Sequence, residues 1–341
     1  MSVSADLSTT SEAMKSSHIV CSVRNLTVTY QTDAGDFPAL HNVNLDIQQN
    51  QITAVIGESG SGKSTLALAM LNGIALPGRV TGGTISLSQH GDVLALRGKA
   101  LRRLRGPVVG TVFQASQNAM NPLRRIGKQI LDLGRSHGYK DPRILLREAQ
   151  LLAKKMSMDP DRVLTAYPHQ LSGGMRQRLG IIMALVLHPE ILLLDEPTTA
   201  LDLLTQSAVL QIIQSIHRER QLTTLLITHD MGVVAEVADT VVVLYAGRVM
   251  EEGRTAAVLR HPGHPYTRAL IKAIPRLTGS LDQARPLEGS PPDLTMIPRQ
   301  GCVFRQRCRY RMALCDNESP SLKQLEDGHL TACHWEGQSD D

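Results

Sequence analysis

Aromatic residues supply only 3% of this 341-residue chain, with one tryptophan, six tyrosines and three phenylalanines. Proteins that hold single-stranded nucleic acid stack its bases on aromatic side chains, so this scarcity argues against such a binder. Long apolar runs are missing too. A helix needs about eighteen or more apolar residues to span a bilayer, and the nearest candidate, IIMALVLHPEILLLDEP, is broken by His188, Pro189 and Glu190. No membrane-spanning helix is expected. The opening MSVSADLSTTSEAMKSSH has no apolar signal core, so residues 1–18 read as a polar, flexible extension rather than a secretion signal. Neither sign of charge dominates, with 36 Lys and Arg against 32 Asp and Glu. A net +4 does not by itself call for nucleic acid in a chain of this size.

What is present is ample apolar content, 42%, enough for a sizeable core in two domains or one domain with an appendage. IVCSVRNLTVTY (19–30) and LHNVNLDI alternate like half-buried strands. VVGTVFQ, ILLLDEP, TTLLITH and TVVVLYAG are continuous apolar runs of strand length, separated by helical patterns. Such runs predict strands buried on both faces of a mainly parallel sheet. YAGRVMEEG reads as a hairpin turning at Ala246-Gly247, and residues from about 115 to 180 are of helical character. After about residue 260 the texture becomes Pro- and Gly-rich, which predicts a main domain over 19–260 and a small C-terminal region over 261–341.

GESGSGKS (57–64) fits the phosphate-loop pattern, with a strand before it and the helix KSTLALAMLNGI after it. Its glycines let backbone N–H groups wrap an anion at a helix N-terminus. The bland reading is a Gly/Ser-rich turn. The functional one has Gly57, Ser59, Gly60, Ser61 and Gly62 cradling phosphate, Lys63 reaching the β- and γ-phosphates, Ser64 ligating Mg²⁺, and Thr65 assisting. Asp195 and Glu196 end a strand where parallel sheets place their sites. Asp195 suits Mg²⁺, and Glu196 suits a general base acting on water. His229 ends another such strand and could hold the γ-phosphate and the attacking water. Gln114 ends a third; alone it is a surface glutamine. Tyr30 is either a strand aromatic or a platform for adenine.

LSGGM (171–175) is a second anion device, in which Ser172 caps a helix while Gly173 and Gly174 admit a phosphate. The bland alternative is a cap without a ligand. Two chains arranged head-to-tail can use both devices, each phosphate loop meeting the other chain's LSGGM around a shared ATP.

This set, in this order, resembles the ATPase subunits of ATP-binding-cassette (ABC) transporters over about residues 19–260. The resemblance implies a P-loop NTPase α/β fold with a mixed sheet core, an antiparallel β part and a helical subdomain, plus a small Cys-rich C-terminal region. It assigns the Q-loop to Gln114, with a role at Mg²⁺, and the D-loop to TALD (199–202) with Asp202. It makes His229 the switch histidine. YPHQLSGGMRQR, DEPTTALD, HPYTRAL and the cysteine tail narrow the resemblance to peptide/nickel importer ATPases. Met175, in place of the general signature's glutamine, is usual in that subgroup. Ala115 and Ser116 depart from the acidic residue and proline often found there, at the stretch expected to face membrane subunits.

The implied function is ATP binding and hydrolysis that energises a membrane importer of di- or oligopeptides, with nickel or another small solute as the alternative cargo. The implied partners are a second cassette subunit (a homologue or a copy of this chain), two transmembrane permeases and, indirectly, an extracytoplasmic solute-binding protein, with no nucleic acid. The implied location is the cytoplasmic face of the inner membrane, as a peripheral subunit. A soluble cassette ATPase of DNA repair or translation is the rival; a P-loop kinase leaves LSGGM and TALD unexplained.

Cys302, Cys308, Cys315 and Cys333, spaced C-x5-C-x6-C-x17-C, cluster near the end, apart from Cys21. Clustering in a reduced compartment favours metal over disulfides, although the spacing lacks the C-x2-C of common zinc sites. An iron–sulfur cluster, zinc and free thiols stay open on the residues alone. The resemblance favours a [4Fe–4S] cluster on these four cysteines. Arg299, Arg305, Arg307, Arg309 and Arg311 crowd the same stretch, either as a solvated basic face or to offset thiolate charge or meet acidic lipid or protein.

Overall fold

The computed structural model describes residues 18–114, 119–199, 201–273, 287–326 and 328–335. Residues 1–17 of the N-terminal extension, Ala115 and Ser116, and Ala200 of TALD lie outside them.

The chain opens with two long strands, β1 (Ile19–Thr32) and β2 (Gly35–Gln48), then the short buried β3 (Ile52–Ile56) and helix α1 (Lys63–Met70). β4 (Gly78–Leu87) and β5 (Gly91–Asp92) complete an antiparallel sheet of order β2-β1-β4-β5. After α2 (Gly98–Leu104) and β6 (Val109–Val112) comes a helical section, α3 (Ile126–Ser136), α4 (Arg143–Lys155) and α5 (Pro160–Thr165), leading into α6 (Gly173–Leu185). In α4 the buried Leu145, Ala149, Leu152 and Ala153 fall on one helical face, which is why this segment packs as a helix. The rest alternates strand and helix: β7 (Ile191–Asp195), α7 (Leu203–Arg220), β8 (Thr223–Thr228), α8 (Met231–Val237) and β9 (Thr240–Tyr245).

β9, β3, β8, β7 and β6 are neighbours in that order, and all are parallel. Their apolar runs are continuous because both faces are covered. Val55, Leu193, Leu225 and Val242 point into a core shared with α1 and the antiparallel sheet. Leu192, Leu194 and Leu226 point into a second core shared with the helical section.

β10 (Arg248–Arg254) pairs antiparallel with β9 across Ala246 and Gly247, whose φ angles are 47° and 75°. That left-handed pair is the tight hairpin turn whose twist matches the flanking strands. Beyond it come α9 (Thr255–Arg260), α10 (Pro265–Lys272), α11 (Leu314–Asn317), β11 (Lys323–Glu326) and β12 (His329–Thr331). β12 pairs with β10, so the C-terminal chain extends the central sheet to eight strands. It also supplies Val303 and Phe304 to a third core with Ala54, Ile56, Val243, Tyr245 and Tyr266. The Phe304 ring lies 5.2 Å edge-on from Tyr245 and 5.4 Å from Tyr266.

This packing corrects the expectation for the tail. Among the described residues no three or more His, Cys, Asp or Glu side chains are grouped to hold a metal ion, so neither the [4Fe–4S] cluster nor zinc stands. The region instead shares the core of the main sheet. Cys302 and Cys315 are buried in that shared core, and the Cys302 N–H bonds the Cys315 carbonyl at 2.8 Å. Burial pushes the thiols of Cys302 and Cys308 up, and that of Cys333 up to about 11. The neighbouring cysteines add to the rise, and each shift favours the neutral thiol over the thiolate that a metal would need.

The junction of sheet and tail is polar and buried. Glu251 on β10, wholly buried, accepts from the N–H groups of Gly263 (2.7 Å) and His264 (2.8 Å) and pairs with His329 Nε2 (2.7 Å). His264 Nδ1 in turn accepts from Tyr266 N–H at 3.0 Å, capping α10. Burial pulls the His264 pKa down from 6.5 to about 4, against the attraction of Glu251. The unfolded chain therefore binds more protons between those values, and stability from this group is present above about pH 6.5 and lost as pH falls toward 4. His264→Asn, which keeps a capping acceptor without the titration, is predicted to flatten stability against pH in that window. Urea unfolding midpoints across the window check this, and equal slopes in both proteins would refute it.

Candidate phosphate-binding edge of the sheet

In the parallel sheet Ile56 lies opposite Thr228, and Asp195 opposite Ile227. The C-terminal ends of β3, β7 and β8 are therefore level, and the residues that follow emerge side by side: Gly57, Glu196 and His229.

The loop after β3 needs its glycines. A Cβ on Gly57 (φ 155°) would stand 2.1 Å from the Leu244 carbonyl, and one on Gly62 (φ 101°) 2.7 Å from the Ala39 carbonyl. The loop is thus pressed against β9 and β2. Gly247 N–H of the hairpin turn holds the Ser61 carbonyl at 2.9 Å. At Gly60 (φ 78°) a Cβ would meet nothing, and Ser59 and Gly60 are exposed, which leaves the loop's outer side open to an anion. Lys63, 8% exposed, curls back so that its ammonium donates to the carbonyls of Gly57 (2.7 Å) and Glu58 (2.9 Å). Burial lowers its pKa, opposed by Glu196, Asp195 and Glu58. Ser64 is exposed and Thr65 half-buried, at the start of α1.

Asp195 is 2% exposed and its pKa is raised by burial, against a hydrogen bond from Ser64. Its Oδ1 is buried with no hydrogen-bond partner among the described residues. An orphaned carboxylate oxygen beside a serine hydroxyl is a donor set that suits a hard cation such as Mg²⁺. Glu196 takes φ 53°, a left-handed conformation that costs a non-glycine residue about 1–3 kcal/mol. The turn brings its carboxylate to His229 Nδ1 at 2.8 Å and to the Thr199 hydroxyl at 2.8 Å. His229 itself is exposed.

Gln114 lies just past β6 on the same edge and is exposed. Tyr30 is half-buried on β1, paired with Phe37 of β2 and Gly78 of β4, with its ring over Gly78; Ala39 and Leu40 of the same β2 press on Gly62 of the loop. Ser172 caps α6 by accepting from Met175 N–H at 3.3 Å, and Ser172 and Gly173 are exposed. The neighbours of this helix start are the chain after β7: Gly174 faces Thr205 and Leu201, and the buried Gln177 donates to the Pro197 carbonyl. Asp202 caps α7, with Thr205 N–H at 3.0 Å and its hydroxyl at 2.7 Å, and these bonds hold its carboxyl below the usual range.

Sequence reasoning missed the Glu196 partner Thr199, the buried link Gln177, and the contacts of Tyr266 and Arg307 with Glu58. Only the three-dimensional arrangement brings them together.

Comparison with known proteins gives a consistent answer. Residues 40–199 match the family model described as ABC transporter, and residues 250–315 match the oligopeptide/dipeptide transporter C-terminal region. The dipeptide transport ATP-binding protein of Bacillus subtilis is 38% identical over 94% of this chain and 95% of its own length. That of Caldanaerobacter subterraneus subsp. tengcongensis is 37% identical over 93% and 97%. The oligopeptide transport ATP-binding protein of Salmonella typhimurium is 35% identical over 95% and 96%. Among solved structures, a dimeric bacterial ABC transporter cassette is similar with a TM-score of 0.61 and 28% identity, covering 69% of this chain and 98% of that one. A post-hydrolysis state of the same cassette, bound to ADP and Pi, is similar with a TM-score of 0.59 and 30% identity, over 69% and 98%. With a phosphate loop, a carboxylate pair and a histidine on one sheet edge, and these relatives along nearly its whole length, the chain belongs to the ATP-binding subunits of ABC transporters, in the peptide (dipeptide/oligopeptide) importer family.

Proposed function

We propose that this chain binds and hydrolyses ATP to drive import of di- or oligopeptides, and that residues 57–65 and the level strand ends form its half of the nucleotide site. The supporting observation is the pairing of an outward-open phosphate loop with Glu196 and His229 at the ends of adjacent parallel strands. Membership in the family implies a partner permease and a nucleotide-binding partner subunit. We place two transmembrane permeases, a second cassette (this chain or a homologue) and an upstream solute-binding protein around it, at the cytoplasmic face of the inner membrane. Among the described residues no helix is long and apolar enough to cross a membrane. The peptide cargo rests on the dipeptide and oligopeptide relatives and on the matching C-terminal region. That region also argues against a repair or translation ATPase.

In this mechanism the loop amides and the α1 N-terminus hold the phosphates, and Lys63 turns from its backbone partners to the β- and γ-phosphates. Ser64 and Asp195, with Gln114 nearby, would hold Mg²⁺, which when bound neutralises phosphate charge. Glu196 takes the proton from the attacking water, and His229 steadies the Glu196 carboxylate and the γ-phosphate. Tyr30 is the platform for adenine. Ser172 and Gly173, which are exposed, would with Gly174 meet the phosphate held by the partner's loop, and Asp202 would lie at the same interface.

Two outcomes are predicted. Glu196→Gln should keep ATP binding and cut turnover about a hundredfold or more by removing the base, with an ATP-bound dimer accumulating on gel filtration; near-normal turnover in a reconstituted transporter would overturn the role. Gly173→Asp should leave ATP binding by the single subunit intact and abolish ATP-driven dimerisation, because a carboxylate then faces the partner's γ-phosphate. Loss of binding in the monomer would point instead to a folding defect.

A further inference from the structure

We propose that the C-terminal region sets the geometry of the phosphate loop, with Arg307 as a positioning residue acting through Glu58; this rests on the reading of residues 57–65 as the phosphate site. Glu58 is the second residue of the loop, and the tail grips it at both ends. Its N–H donates to the Tyr266 hydroxyl at 2.9 Å. Its carboxylate is forked by Arg307, Nη1 to Oε2 at 2.6 Å and Nη2 to Oε1 at 3.1 Å.

Arg307 is itself fixed. Nε donates to the Glu288 carbonyl at 2.9 Å, Nη2 to the Gly289 carbonyl at 3.0 Å and Nη1 to the Tyr245 hydroxyl at 3.4 Å. Its side chain is 6% exposed and that of Glu58 25%. An exposed ion pair contributes little, but a bidentate fork on a nearly buried, fully partnered guanidinium is both stronger and directional.

The grip reaches the reacting end of the loop. The Glu58 carbonyl, between the two clamped groups, is a direct acceptor of the Lys63 ammonium. Freeing Glu58 therefore loosens the loop backbone that presents its amides to the phosphates and sets where Lys63 starts from. It also leaves an unpaired carboxylate within the electrostatic reach of Lys63, where it repels phosphate. Both effects weaken nucleotide binding without touching Glu196 or His229.

The test uses the full chain, with MgATP affinity from titration with a fluorescent ATP analogue, kcat and KM measured alongside, and folding checked by circular dichroism. Arg307→Met should raise the MgATP Kd and KM about tenfold, the worth of one charged hydrogen-bonded contact, with kcat largely kept. Arg307→Lys, which keeps the charge but not the fork, should fall between. Adding Arg307→Met to Glu58→Gln should cost little further. Should Arg307→Met not fold, Tyr266→Phe removes only the hydroxyl that Glu58 N–H uses and should raise Kd several-fold. A folded Arg307→Met or Tyr266→Phe with wild-type affinity, or an Arg307→Met loss equally large in the Glu58→Gln background, overturns the clamp. Lys63→Ala is the control: if it binds MgATP normally, the phosphate-site reading fails rather than the clamp.

Discussion

The level register of β3, β8 and β7 is the constraint on which the rest depends. Ile56, Thr228 and Asp195 end their strands together because each strand is paired in register with its neighbour. A one-residue slip would invert every side chain from one core to the other, exchanging Leu192 and Leu194 for Leu193 against different partners. Both faces are buried, so neither inversion is tolerated. The alignment of loop, carboxylates and histidine is thus enforced by apolar packing that has no chemistry of its own.

What this edge does with that alignment is hold unfavourable states. Lys63 and Asp195 are both buried, and burial disfavours the charged form of each, shifting the two pKa values toward one another. Asp195 keeps an unpartnered oxygen, and Glu196 a left-handed backbone. Strain of this kind persists only where the surroundings over-determine it. The Glu196 N–H bond to the Ile227 carbonyl at 2.9 Å, with the Thr199 and His229 contacts to its carboxylate, supplies that over-determination.

The parallel strands and the glycine loop between β3 and α1 were legible in sequence because each is local: a continuous apolar run, or glycines at close spacing between a strand and a helix. The helical section was legible by its periodicity. β4 was not, because GRVTGGTISL carries three glycines; a Cβ on Gly83 would stand 2.5 Å from the Arg24 carbonyl, a close approach only the fold explains. The tail was misread in its chemistry. Four clustered cysteines look like a ligand set in sequence, but Cys302 and Cys315 pack in the core with Val303, Phe304 and Tyr266, and burial raises the Cys302 pKa away from the thiolate a metal needs. Spacing along a chain records neither convergence nor burial.

A region that borrows its core from another cannot be indifferent to it. The tail contributes Phe304 to a ring cluster whose other members, Tyr245 and Tyr266, stand at the end of β9 and the start of α10. The strand end at Tyr245 carries the hairpin turn that bonds Ser61, and the Leu244 carbonyl presses on Gly57. Apolar docking of the tail and polar support of the phosphate loop therefore meet on the same few residues of β9. Glu251 ties the other side of that docking to His264 and His329, so the cap of α10 and the sheet edge move as one unit. Interiors this closely packed transmit displacement rather than absorb it, and a shift of the tail is carried to the loop through contacts that number only two or three residues in length.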